Sequence, residues 1–159
     1  MPEPAPTPPP NAAPETAARQ RWMAVLARTG LAALEARLAG APPLPPHTRL
    51  RGPETGLVML RGRAGGDGGP FNLSEMTVTR CAVRLADGTV GHAYVAGRDK
   101  AQAELAALLD AALQDPAQRP ALMAAVIEPL AEAQAGAAAA ESRKAAATRV
   151  QFFTMATMR

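Results

Sequence analysis

The sequence predicts an α+β domain with N-terminal helices, an antiparallel meander of about four strands, and C-terminal helices. Three observations predict it. Apolar residues recur at helical spacing toward both ends of the 159-residue chain. Between them, residues 75–85 (EMTVTRCAVRL) alternate with period two and run into Asp87-Gly88, a strong hairpin signal. The strands follow one another without intervening helices, which points to an antiparallel sheet and away from a parallel α/β fold.

Each element has its own local reason. Seven of the first fourteen residues are proline, so residues 1–15 read as a disordered, polyproline-like tail, and residues 16–159 as a single domain. Thr16 is placed to cap a helix running to Arg28, with Trp22, Val25 and Leu26 at i, i+3, i+4. Gly30 closes that helix, and Leu31, Leu34 and Leu38 carry a second. Residues 41–46 (APPLPP) forbid helix and form an extended linker. Residues 48–51 and 57–62 read as two strands around a Gly-Pro-Glu-Thr-Gly turn at 52–56, and residues 62–70 (GRAGGDGGP) as a flexible loop. On the strand 75–85, Thr77, Thr79, Cys81, Val83 and Leu85 share one face, and Val78, Arg80, Ala82 and Arg84 the other. Residues 89–96 return beside it. Helix resumes at Asp99, where Leu105, Leu108, Leu109, Ala112 and Leu113 form an amphipathic stripe. Met123, Val126, Ile127 and Leu130 mark a short helix, with Pro120 in its first turn and Pro129 at its end. Residues 131–149 are nearly pure helix formers.

Composition excludes several classes. The longest apolar run, residues 121–127, is far below the ~18 residues a membrane span needs. The N-terminus lacks the charge and apolar pattern of a signal peptide, and Cys81 is the sole cysteine, so a cytoplasmic protein without disulfides is expected. The net charge of +3 comes from fifteen Arg and two Lys, a balance that suits fixed anions and interface ion pairs better than a solvated nucleic-acid face. Tyr94 is the only aromatic on the strands 75–85 and 89–96, whereas single-stranded RNA platforms stack two or three bases, so an RNA-binding module is the weakest reading.

The chemical inventory is small. His47, His92 and Cys81 show no metal-ligand spacing, and the Gly-rich loop lacks the ending of a P-loop and precedes a strand. Gly97-Arg98-Asp99-Lys100 is more informative. Asp99 is placed to cap the following helix, with Gln102 at the capping-box position, and Arg98 and Lys100 flank the positive end of that helix. Two readings stand, an anion contact or an ordinary cap with solvated charges. Arg80 and Arg84 project from the sheet, and Glu54 is a candidate partner for them. Phe152 and Phe153 follow a long Ala-rich helix and require burial, either in the chain's own core or on a partner.

Five separated motifs resemble the PhnG family, small subunits of the bacterial carbon–phosphorus lyase system. They are residues 19–27 (RQRWMAVLA), 54–58 (ETGLV), 79–89 (TRCAVRLADGT), 97–100 (GRDK) and 149–155 (RVQFFTM). The resemblance implies a cytoplasmic core complex with PhnH-, PhnI- and PhnJ-like subunits. That complex joins an alkylphosphonate to the ribose of MgATP, displaces adenine and yields ribose 1-alkylphosphonate 5-triphosphate. It implies an accessory subunit with no catalytic residue, cofactor or metal of its own, no nucleic-acid partner and no membrane contact. On this reading Glu54, Arg80, Arg98, Asp99 and Lys100 form a polar interface or anion-support cluster, and Phe152, Phe153 and Met155 dock on a partner. The rival reading is a stand-alone phosphate-ester or nucleotide-binding enzyme using Arg98, Lys100 and His92.

Overall fold

The computed structural model describes residues 14–64 and 67–148. The chain begins with α1 (Pro14–Ala27) and α2 (Leu31–Leu38). The three-stranded antiparallel sheet β1 (His47–Arg63), β2 (Pro70–Leu85) and β3 (Val90–Ala96) follows, in the order β1-β2-β3. Then come α3 (Lys100–Leu113), α4 (Arg119–Leu122), a π-helical turn (Met123–Ile127) and α5 (Glu128–Ala147). The α+β class and the element order are those the sequence predicts. Among the described residues no helix is long and apolar enough to cross a membrane.

α1 starts two residues before the expected cap at Thr16. Proline is tolerated there because first-turn amides have no intrahelical acceptor. Its stripe is as expected, with Trp22, Val25 and Leu26 no more than 4% exposed. Gly30 starts α2, as its N-cap in extended conformation, rather than ending α1.

The sheet has three strands where about four were expected, because the two short strands flanking 52–56 are one. β1 runs through Gly52-Pro53 by register shifts between Arg49 and Arg51 and between Arg51 and Glu54. These shifts leave Leu50, Gly52 and Pro53 without register partners. β1 is an edge strand, so the amide missing from Pro53 breaks no central ladder. β2 likewise begins at Pro70, earlier than residue 75, since pairing with the extended β1 overrides the weak strand propensity of Asn72 and Ser74. The Asp87-Gly88 turn forms as read: Gly88 takes φ +92°, and Thr89 N–H donates to Asp87 Oδ1 at 2.8 Å.

The core lies between one face of the sheet and the helices. Cys81, Val83, Ala93 and Val95 meet Ala103, Ala107, Leu109 and Ala111 of α3, with Trp22, Leu26, Leu34, Val126 and Ile127 completing it. α3 differs from its predicted stripe. Every residue from Ala106 to Leu113 is buried, so its last two turns have no solvent face. Small side chains permit this. Gly91 of β3 sits so close that an added Cβ would collide with the Ala107 carbonyl and lie 2.6 Å from Ala111 N.

Pro129 does not end a helix. α4, the π turn and α5 form one continuous helical run, with Glu128 N–H donating to Met123 O five residues back. Pro129, which has no N–H to donate, follows directly in the first turn of α5.

Candidate functional site

Two sets of polar residues stand out, an internal set that holds the helices to the sheet and an external set on the opposite sheet face, which no described helix covers. The internal set centres on Asp110, which is fully buried. Its carboxylate accepts from Arg19 Nε at 3.1 Å, Arg19 Nη2 at 2.7 Å, Trp22 Nε1 at 2.9 Å and the His92 backbone N–H at 2.9 Å. Four donors on two oxygens satisfy a buried charge and tie α1, β3 and α3 at one point. The Arg119 guanidinium lies over the Trp22 ring, 5.5 Å from its centroid. Sequence reasoning missed Asp110. The signal was present: it lies three and four residues after Ala107 and Ala106, so an acid occupies the most apolar helix's buried face.

A second anchor is Glu104, which accepts from Arg49 Nε and Nη2, both at 2.7 Å, and contacts His47 Nε2 at 3.2 Å. These hydrogen bonds, that of Arg49 first, hold its carboxyl below the ordinary value despite partial burial. Cys81 donates Sγ–H to Arg51 O at 3.3 Å, and burial pushes its thiol pKa up, so it is a core residue with an inert thiol.

The external face is reached through strand alternation. Arg80 faces Glu54 across β1–β2 and Tyr94 across β2–β3, and Ala82 faces Arg51 and His92. Arg80 Nε and Nη2 donate to Glu54 Oε2 at 3.2 and 3.1 Å, which raises the guanidinium pKa, with a smaller contribution from Tyr94. Arg51 lies 3.9 Å from the same carboxylate. Arg51, Arg80, Ala82, His92 and Tyr94 border a shallow depression of about 290 Å³.

The β3–α3 junction lies beside that face. Gly97 takes φ +91°, a conformation that favours glycine, and its N–H donates to Thr77 O while its carbonyl accepts from Thr79 Oγ1 at 2.8 Å. Asp99 then caps α3 by accepting from Gln102 N–H at 2.9 Å. Only half of the capping box forms, since the Gln102 side chain donates to Thr29 O at 2.7 Å instead. Arg98 and Lys100 are exposed and make no side-chain hydrogen bond or ion pair among the described residues. The structure thus pairs Glu54 with Arg80, gives Asp99 the helix cap, and leaves Arg98 and Lys100 facing solvent. Phe152, Phe153 and Met155 lie outside the described residues. Among the described residues no three His, Cys, Asp or Glu side chains cluster closely enough to hold a metal ion.

The class these features define is a small α+β domain with helices on one face of a three-stranded meander and, on the other, a basic face that no described helix covers. Comparison with known proteins gives the particular family. The family model for the phosphonate metabolism protein PhnG matches residues 17–157. A relative from Rhizobium meliloti (strain 1021), the alpha-D-ribose 1-methylphosphonate 5-triphosphate synthase subunit PhnG, is 48% identical over 143 residues, covering 87% of this chain and 88% of its own length. The chain belongs to the PhnG family, as its five motifs indicated.

Proposed function

We propose that this chain is an accessory subunit of a cytoplasmic complex that makes alpha-D-ribose 1-alkylphosphonate 5-triphosphate in the breakdown of organic phosphonates. In that reaction a phosphonate oxygen bonds to the ribose C1 of MgATP and adenine leaves. The observation that carries the reading is the 48% identity to a subunit of such a synthase over nearly the full length of both chains. Three further features support it. The buried Asp110 and Gln102 and the partly buried Glu104 are engaged in holding the fold together. The helix-free sheet face is uncovered and rich in arginine. Arg98 and Lys100 stand beside the capped end of α3, available to a phosphate group or to a partner's carboxylate. The proposed partners are PhnH-, PhnI- and PhnJ-like subunits, and Phe152, Phe153 and Met155 belong to the surface that docks on them.

Adenine release from ATP plus methylphosphonate tests the proposal. The complex co-expressed with this chain should release adenine, the complex lacking it should not, and the purified chain alone should be inactive. Turnover by the isolated chain, or full activity of the complex without it, would overturn the reading. Arg98→Ala should lower complex yield or substrate affinity roughly tenfold to a hundredfold, the loss expected from one charge-assisted contact.

A further inference from the structure

β2 pairs with β3 only from Val78 to Arg84, yet it pairs with β1 from Pro70 onward. Beyond the Gly97 N–H bond to Thr77 O the sheet is therefore a two-stranded ribbon whose edges have no further strand partner among the described residues. Both faces carry large apolar side chains, interspersed with polar ones such as Ser74 and Glu75. Leu57 and Met59 continue the face that carries the helices near the base, while Val58, Leu60 and Met76 continue the helix-free face. Leu57 and Leu73 are more than 60% exposed, Met59 about half, and Phe71 45%. A two-stranded ribbon is marginal in water on its own, and a run of large apolar side chains on an open edge is a surface that proteins otherwise blunt. Apolar character on both faces suits insertion into a cleft rather than contact with a flat surface.

Charge identifies the occupant. Next to the ribbon's base the helix-free face presents Arg80 and Arg51, and further along β2, toward the Asp87-Gly88 turn, Arg84, against the single carboxylate of Glu54. Arg84 has no acidic partner among the described residues. Two copies docked through this face would oppose arginine to arginine, and like charges across an interface are costly. A surface bearing carboxylates meets the same groups favourably.

We infer that the β1–β2 ribbon is an arm that seats this chain in a non-identical protein subunit, whose receiving surface is an apolar cleft with carboxylates at its mouth. The inference rests on the subunit reading above and assigns a surface to it. The test co-expresses the full chain with the PhnH-, PhnI- and PhnJ-like subunits and compares Leu57→Glu/Met59→Glu and Arg84→Glu with wild type. The substituted side chains are exposed, so circular dichroism and the urea midpoint of the free chain should be unchanged. The double substitution should weaken assembly roughly tenfold or more, as loss of a central anchor does, and Arg84→Glu should slow association most at low salt. Amide exchange on the unmutated chain gives a readout independent of folding, because ribbon residues 57–62 and 71–76 should gain protection on assembly.

Assembly of the double variant at wild-type strength, or no protection gained by the ribbon, overturns the inference and leaves the subunit reading intact. A wild-type homodimer abolished by Leu57→Glu/Met59→Glu overturns the choice of a non-identical partner. Deprotection of the ribbon in a free chain lacking residues 149–159 would make that segment the occupant instead, which also overturns it. Failure of the wild-type chain to assemble at all overturns both this inference and the subunit reading.

Discussion

Replacing Asp110 with alanine removes the acceptor of four N–H groups at once. Arg19 is one-third exposed and regains water for its two donors. Trp22 Nε1 belongs to a residue 2% exposed, and the His92 backbone N–H donates to the same carboxylate from a partly buried position. Each buried donor left unpaired costs about 1–3 kcal/mol. The expected loss is about 3–5 kcal/mol, the range for breaking a buried charge pair by removing one partner. Against a typical domain stability of about 5–15 kcal/mol, that leaves a marginal fold. Asp110→Asn should do little better, because its amide nitrogen would point donors either at Arg19 Nη2 and the His92 N–H or, flipped, at Arg19 Nε and Trp22 Nε1. Urea unfolding of the full chain measures the loss, followed by fluorescence of Trp22, the only tryptophan, and by far-UV circular dichroism. A midpoint shift equivalent to less than about 1 kcal/mol for Asp110→Ala, within the range of ordinary substitutions, would refute the claim that this carboxylate is the junction of α1, β3 and α3.

Gly91→Ala should destabilise by about 1–3 kcal/mol or more, because the new methyl group meets α3 backbone rather than a side chain able to move; a thermal melt matching wild type would contradict that contact. The Glu104 carboxyl lies below its ordinary value of 4.5 in the folded chain, so its contribution is present above that pH and fades as pH falls through the folded value. The stability gap between wild type and Glu104→Gln should therefore be constant near neutral pH and shrink in acid, as acid-range urea titrations would read. Truncation after Arg149 should leave circular dichroism near wild type, since the described residues bury a core of their own, while co-purification with partner subunits fails; unfolding of the truncated chain would place Phe152 and Phe153 in its own core.

Local signals made much of the fold legible. The Trp22, Val25, Leu26 stripe, the alternation around Cys81, the Asp87-Gly88 turn and the Asp99 cap each depend on neighbours within a few residues, and each formed as read. The differences arose where tertiary context overrules punctuation. Gly52-Pro53 reads as a turn, but an edge strand absorbs it through bulges. Pro129 reads as a stop, but a π turn carries the helix up to it. At the site, the Glu54–Arg80 pair followed from strand alternation. Asp110 did not, because its four donors come from three positions, Arg19, Trp22 and His92, that periodicity cannot bring together.

The π turn also sets the phase of everything C-terminal to it. Leu122, Val126, Leu130 and Gln134 are each four residues apart, a spacing that in an unbroken α-helix would creep steadily around the axis. The first three are buried, and Gln134 reaches Val25 O at 3.0 Å and Thr29 Oγ1 at 2.9 Å. The wide turn between Leu122 and Val126 offsets part of that creep. Shortening Met123–Ile127 by one residue would let the wide turn close to an ordinary α turn with little rotation of α5, whereas removing one residue from α5 itself before Gln134 would turn that side chain by about 100° and carry it away from Thr29. The segment thus works as an absorber of one extra residue, which lets the long Ala-rich helix keep its direction.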